Sequence, residues 1–147
     1  MTAVLMDAIK SGAEGVPDVM EGPDSDWTPI LMFKGGDGAC RAVGFEGLQP
    51  ERVDAAVQLV GKMLREASAT AAALLLPTWI TRFDDTGAGK AEYVLVTYVD
   101  RETTECEAAK VLRSEDDKPR LGRWDLYSSD SEVGRGAFVD AMRAAIG

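Results

Sequence analysis

The chain has 147 residues, of which 46% are hydrophobic, two are cysteine and none is histidine. This length fits one domain that buries a core without disulfides, and the lack of histidine excludes Ser-His-Asp and Cys-His nucleophiles, His-ligated zinc and most proton shuttles. The net charge of −9 opposes binding to nucleic-acid backbones and anionic membranes, which need clustered Lys and Arg. We therefore expect no nucleic-acid partner and no membrane partner.

Hydrophobic periodicity and turn residues predict nine elements along the chain. In chain order they are a helix (2–11), two strands (29–34 and 39–45), a helix (50–68), four strands (71–80, 93–99, 104–113 and 121–127) and a helix that opens at the capping box Ser129-x-x-Glu132. Adjacent strands joined by short turns pair antiparallel. The order α-β-β-α-β-β-β-β-α predicts a single α+β domain over 1–147, with one antiparallel sheet of about five to six strands and two to three flanking helices. This order resembles that of profilin-like and roadblock-like domains, which bind partners and seldom catalyse.

The amino-terminal 28 residues are predicted to form a helix and an acidic leader, followed by a globular body over 29–147. Thr2 can cap the helix. Residues 13–26 combine acidic side chains with glycine and proline, so we predict that they are the most mobile part of the chain. Trp27 ends this segment and has two interpretations: it anchors the leader on the body, or it is an exposed contact for a partner.

The positions of two prolines bear on where the predicted elements begin and how they pair. Pro50 lies at the first turn of a helix, where its missing N–H costs nothing. Pro77 lies within the continuously apolar strand 71–80, which is typical of a sheet interior. Because proline cannot donate to a strand ladder, we expect Pro77 at a bulge or facing outward on an edge.

The strand 121–127 is the expected open edge of the sheet. Its alternation predicts that Trp124 and Leu126 face the covered side, while Arg123 and Asp125 face solvent. Exposed edges are templates for pairing with another chain. The candidate partner contacts are therefore Arg123 and Trp124 on this edge, together with Trp27 of the leader. The outer face of the helix 50–68 is an alternative surface.

Three short motifs have a chemical interpretation and a structural one. Asp85-Thr86-Gly87 matches the aspartic-protease signature, but its setting is a glycine-rich turn. Gly87-Ala88-Gly89-Lys90 resembles the end of a phosphate-binding loop, which needs glycine at 84 and Ser or Thr at 91, where this chain has aspartate and alanine. The acids at 84–85 and 115–117 lack the spacing of a calcium loop. We expect no catalytic residue, no cofactor and no metal ion.

The two cysteines, Cys40 and Cys106, match no metal-binding or redox spacing. We expect two reduced, buried thiols, which places the protein in the cytoplasm. The amino terminus does not show the basic start followed by an apolar core that is typical of a secretory signal, so we expect none.

The carboxy-terminal half carries a sequence resemblance. TAAALLLPTWITRF (70–83), AEYVLVTYVDRETTECEAAKVLR (91–113) and PRLGRWDLY (119–127) resemble a group of small uncharacterised actinobacterial and actinophage proteins. The shared pattern is an apolar strand ending near a tryptophan, a strand before a polar turn, and a late Leu-Gly turn. The resemblance implies a phage or prophage origin and no assigned activity.

The leading hypothesis is a non-catalytic interaction or regulatory module, whose partner is another protein or a second copy of the chain. One alternative is an acidic inhibitor that mimics nucleic acid. The other is a hydrolase that uses carboxylates alone, with Asp85 as its candidate residue.

Overall fold

The computed structural model describes residues 2–23, 25–45, 52–82, 89–126 and 135–146, with the backbone alone at 2, 3, 78–82, 89–91 and 135. These residues form three α-helices and six strands. The helices are α1 (Thr2–Gly15), α2 (Val53–Glu66) and α3 (Arg135–Ile146), and a 3-10 turn over Val16–Val19 follows α1. The strands are β1 (Ile30–Lys34), β2 (Cys40–Gly44), β3 (Ala71–Arg82), β4 (Gly89–Asp100), β5 (Thr104–Leu112) and β6 (Arg120–Leu126).

The six strands form one antiparallel sheet in the order β2-β1-β3-β4-β5-β6. The α+β class and the single antiparallel sheet predicted from the sequence are confirmed. The β1–β2 hairpin adds to the sheet beside β3, so that α2 connects an edge strand to an interior one. From β3 onward, each strand pairs with the next along the chain, as short turns dictate.

Helices cover both faces of the sheet. Alternate residues of β3 divide between the two layers: Ala73 and Leu75 pack in the cluster with α1, whereas Ala72 and Leu74 pack in the cluster with α2 and α3. All four side chains are at most 2% exposed. This double coverage explains why the sequence of β3 is apolar on both alternations.

The helix α1 continues past its predicted end at Ser11 and includes Gly12. Glycine in a helix costs about 1 kcal/mol relative to alanine. Ile9 and Ala13 are each 2% exposed against the sheet, and this burial favours the additional turn. Pro50 and the capping box Ser129-x-x-Glu132 lie outside the described residues.

Pro77 lies on a local edge within the sheet. The pairing of β1 with β3 ends at Ile30 opposite Leu75, whereas β4 pairs with β3 along its whole length and places Val94 opposite Pro77. Among the described strands, none lies beside Pro77 on the β1 side. The residue that lacks an N–H is therefore placed where one side of the ladder has already ended.

Candidate functional site

β6 is the last strand of the sheet in the described chain, as the sequence predicts. Its surface carries Leu126, which is 85% exposed, and a pair of opposite charges, with Arg123 Nε 3.2 Å from Asp125 Oδ1. The Arg123 and Asp125 side chains are 85% and 64% exposed. An exposed ion pair of this kind adds little stability, so these groups are available for contacts outside the chain.

A β-bulge changes which residues of β6 share a face. Ala109 is opposite Trp124 and Val111 is opposite Leu121, so two residues of β6, Gly122 and Arg123, lie opposite the single residue Lys110 of β5. Leu121 and Trp124 consequently both pack against the cluster that contains α1. Strict alternation along β6 would place Leu121 on the face opposite Trp124, and it fails here because of the bulge.

Leu126 follows Trp124 by two residues in the regular part of β6, so the two share a face. The Leu126 side chain is nevertheless 85% exposed at the end of the outermost described strand, so that face is not covered there. Trp124 is half-buried, and its indole N–H donates to Glu14 Oε1 over 2.8 Å. Of the candidate contacts on β6, Trp124 is thus tied to α1, whereas Arg123 projects into solvent.

Trp27 is an interior residue, 3% exposed, in the cluster with α1. Its indole N–H donates to the carbonyl of Ala13 over 2.8 Å. In an α-helix that carbonyl would accept from the N–H four residues later, but residue 17 is proline and has no N–H. The indole therefore supplies the donor that Pro17 lacks. Of the two interpretations of Trp27, the structure has the anchor and not the exposed contact.

A charged cluster joins the leader to the sheet. Arg113 follows β5 and pairs with the carboxylate of Glu92 on β4 through two hydrogen bonds, of 2.6 Å and 2.8 Å. Its third nitrogen donates to the carbonyls of Pro23 (3.0 Å) and Ser25 (2.9 Å), and Asp26 Oδ1 lies 3.4 Å from its guanidinium. A bidentate pair of this geometry fixes the position of the arginine, so Arg113 holds the leader segment against the sheet.

Two carboxylates meet at this cluster, an arrangement that sequence reasoning missed. Burial raises the pKa of Asp26, and the negative charge of Glu92 raises it further, while the N–H of Trp27 and the Arg113 charge act against the rise. Glu92 is only 9% exposed and is bound on both oxygens by Arg113. A carboxylate bound in this way is poorly suited to activating water, so the geometry favours a structural role for the pair. The available signal was a single acid within the apolar run of β4.

The leader itself packs on the body. Met20 is 7% exposed and belongs to the same cluster as Trp27, and the 3-10 turn over Val16–Val19 continues directly from α1. The prediction that residues 13–26 move more than the rest of the chain remains a prediction. Their contacts are those of an ordered segment, because apolar anchors and Arg113 both hold it.

The cysteines lie on different strands and in different environments. Cys40 is an exposed residue of the edge strand β2, and Cys106 is buried on β5. Three strands separate β2 from β5, a span of about 19 Å at ~4.8 Å per strand spacing, which is too far for a disulfide. The prediction that both thiols are buried is wrong for Cys40, because β2 has no described neighbour on its outer side.

The remaining candidate motifs do not come together as a site among the described residues. Asp84 and the Asp85-Thr86-Gly87 signature lie outside the described residues. Glu115, Asp116 and Asp117 are exposed in a turn, where Asp117 pairs with Arg120 at 3.4 Å. Among the residues with described side chains, no three acids or cysteines are grouped as metal ligands would be. None of the described helices has the length and apolar character needed to cross a membrane.

Comparison with known proteins returns no match: no protein-family model, no curated protein and no solved structure is significantly similar to this chain.

Proposed function

We propose that the protein is a non-catalytic interaction module whose β6 edge pairs with the β6 edge of a second copy. The observation that carries the proposal is the exposed end of β6, where Arg123, Asp125 and Leu126 stand on the outermost described strand. A strand edge offers unpaired backbone N–H and C=O groups to another strand. The two free thiols favour a reducing compartment, the cytoplasm.

The charge pattern of β6 is complementary to itself. In an antiparallel pairing centred on Trp124, Arg123 lies opposite Asp125 of the second copy, and Asp125 lies opposite Arg123 of that copy. Opposite charges at facing positions of a ladder stabilise the pair by roughly 0.2–1 kcal/mol each. A two-fold axis requires such self-complementarity, which is why a second copy is the preferred occupant.

The bulge limits the strength of this association. The bulge is formed by residues 122 and 123, so the regular edge that follows it has only about three residues, 124–126. An interface of this length is small, and small interfaces belong to weak or transient complexes. We therefore expect a dimer that forms reversibly with increasing concentration.

The proposal is tested by sedimentation equilibrium at concentrations up to roughly 1 mM, which detects association as weak as about −4 kcal/mol. Arg123→Asp should abolish the dimer, because it places two acids opposite each other. Combining Arg123→Asp with Asp125→Arg should restore it, since the swap recreates both cross-strand pairs. Arg41→Asp on the opposite edge strand β2 is the matched control and should leave association unchanged.

A chain that stays monomeric throughout this range contradicts pairing with a second copy. A dimer that Arg41→Asp abolishes and Arg123→Asp leaves intact assigns the contact to β2 and contradicts the proposal equally. The double swap also restores the ion pair of residues 123 and 125 within each chain. Restoration of the dimer is therefore decisive only together with thermal melts in which Arg123→Asp alone unfolds at the same temperature as the unaltered protein.

A further inference from the structure

A cavity of about 440 Å³ opens between the first turn of α1 and the sheet. Its size lies within the roughly 300–1,000 Å³ of small-molecule sites. Val4 and Leu5 of α1 form one wall, and the ring of Tyr98 on β4 forms part of another. Apolar side chains therefore make up much of the surface that an occupant would touch.

The floor of the cavity is a row of register partners across four adjacent strands. Cys40 on β2 is opposite Lys34 on β1, Lys34 is opposite Ala71 on β3, and Ala71 is opposite Asp100 on β4. All four residues line the cavity. With strands ~4.8 Å apart, the backbones of Lys34 and Asp100 are about 10 Å apart, and the methyl group of Ala71 leaves the space between them open.

The two charges of this row differ in how they are bound. The Asp100 carboxylate accepts the N–H groups of Glu102 (2.8 Å) and Thr103 (2.7 Å) and the hydroxyl of Tyr98 (2.8 Å). It therefore serves the β4–β5 turn. Lys34 is a half-buried residue, and among the described residues no carboxylate lies within ion-pair distance of its ammonium. Because hydrogen bonds already occupy the Asp100 carboxylate while Lys34 has no ion-pair partner among the described residues, Lys34 is the group of this row that can pair with an anion.

We propose that this cavity binds a small organic anion with an apolar body, such as a medium-chain carboxylate, whose charged group pairs with Lys34. The amino end of α1 adds a partial positive charge on the same side. The apolar walls select against a bare inorganic anion, because such an ion would gain nothing from them. The site is near the β2 end of the sheet, while the proposed dimer contact is on β6 at the other end, so the two proposals stand or fall separately.

The exposed thiol of Cys40 provides a built-in reporter for occupancy. Iodoacetamide should alkylate Cys40 in the native protein, while buried Cys106 serves as an internal reference in the same mass spectrum. Octanoate is the probe, with octanol and octyltrimethylammonium as neutral and cationic comparators. At about ten times its Kd, octanoate should slow Cys40 alkylation about tenfold, and the comparators should protect far less.

Two variants locate the binding. Lys34→Met should raise the Kd for octanoate about tenfold, equivalent to ~1.4 kcal/mol, and Ala71→Leu should abolish protection by filling the cavity without changing charge. Lys62→Met on α2, an exposed lysine 66% accessible to solvent, removes the same charge elsewhere and should bind normally. Thermal melts compare the folding of each variant, and Lys34→Gln replaces Lys34→Met where the latter fails to fold.

Three results would overturn the proposal. If octanoate does not protect Cys40 from alkylation even at high concentration, the cavity binds no such anion. Equal protection by octanol or by octyltrimethylammonium removes the role of Lys34. Unchanged protection in Ala71→Leu places the ligand outside the cavity.

Discussion

Replacing Trp27 by phenylalanine tests the most specific structural result, the hydrogen bond from its indole to the Ala13 carbonyl. The bond is buried and 2.8 Å long. Trp27→Phe keeps an aromatic ring but removes the indole N–H. The Ala13 carbonyl then has no donor, because Pro17, four residues later in the helix, has no N–H either. An unsatisfied buried acceptor costs about 1–3 kcal/mol, so we expect a loss of roughly 2 kcal/mol. For a chain of 147 residues this lowers Tm by about 4–8 °C.

The assay is urea unfolding followed by tryptophan fluorescence and circular dichroism, with a thermal melt as a second measurement. Trp124→Phe is the matched control, because its indole also donates over 2.8 Å, but to the exposed carboxylate of Glu14. Water can replace that donor, so the control should cost less than about 1 kcal/mol.

A double-mutant cycle with Pro17→Ala isolates the hydrogen bond from the change in ring size. Alanine at 17 provides an N–H for the Ala13 carbonyl, so Trp27→Phe should cost about 1 kcal/mol less in that background. Equal costs for Trp27→Phe and Trp124→Phe, or a cycle without coupling, would refute the reasoning.

Three further predictions follow from the charged cluster and the thiols. Arg113→Met should lower the free energy of unfolding, measured by urea titration, by about 2–3 kcal/mol. It leaves the carboxylate of Glu92, which is 9% exposed, without its counter-charge. A change below about 0.5 kcal/mol contradicts this. Asp26→Asn should stabilise the protein at pH 7. The pKa of Asp26 is raised from 3.8 by burial first and then by the charge of Glu92, so the ionised carboxylate disfavours folding above that pKa, and the gain should disappear as the pH falls toward 3.8. A gain independent of pH speaks against this origin. Native alkylation should label Cys40 only and denatured alkylation both cysteines; equal native rates for Cys40 and Cys106 contradict the burial of Cys106 on β5.

The local elements of this fold could be predicted from short-range patterns. The strands 71–80 and 93–99 are apolar on both alternations, which predicts interior strands with at least one face covered by helices. The structure has β3 and β4 in the interior of the sheet, with helices on both faces. The charged turn before 121–127 and its polar alternation predicted an edge. These features depend on residues two to four positions apart, which is the distance over which periodicity carries information.

Contacts between distant parts of the chain could not be predicted in this way. Arg113 follows Glu92 by 21 positions and Ser25 by 88, and no pattern in the sequence indicates that these three residues meet. Their meeting depends on the sheet order and on the path of the leader across the α1 face.

By itself, the sequence determined the identity and order of the elements, the antiparallel pairing of strands joined by short turns, and the exclusion of histidine chemistry. Only the tertiary structure decided that Trp27 completes the end of α1, that one bulge changes the facing of β6, and that Lys34 and Asp100 flank a cavity over Ala71. The physical reason is that periodicity and turn chemistry are local properties of the chain, whereas register, bulges and cavities arise from how the layers pack on one another.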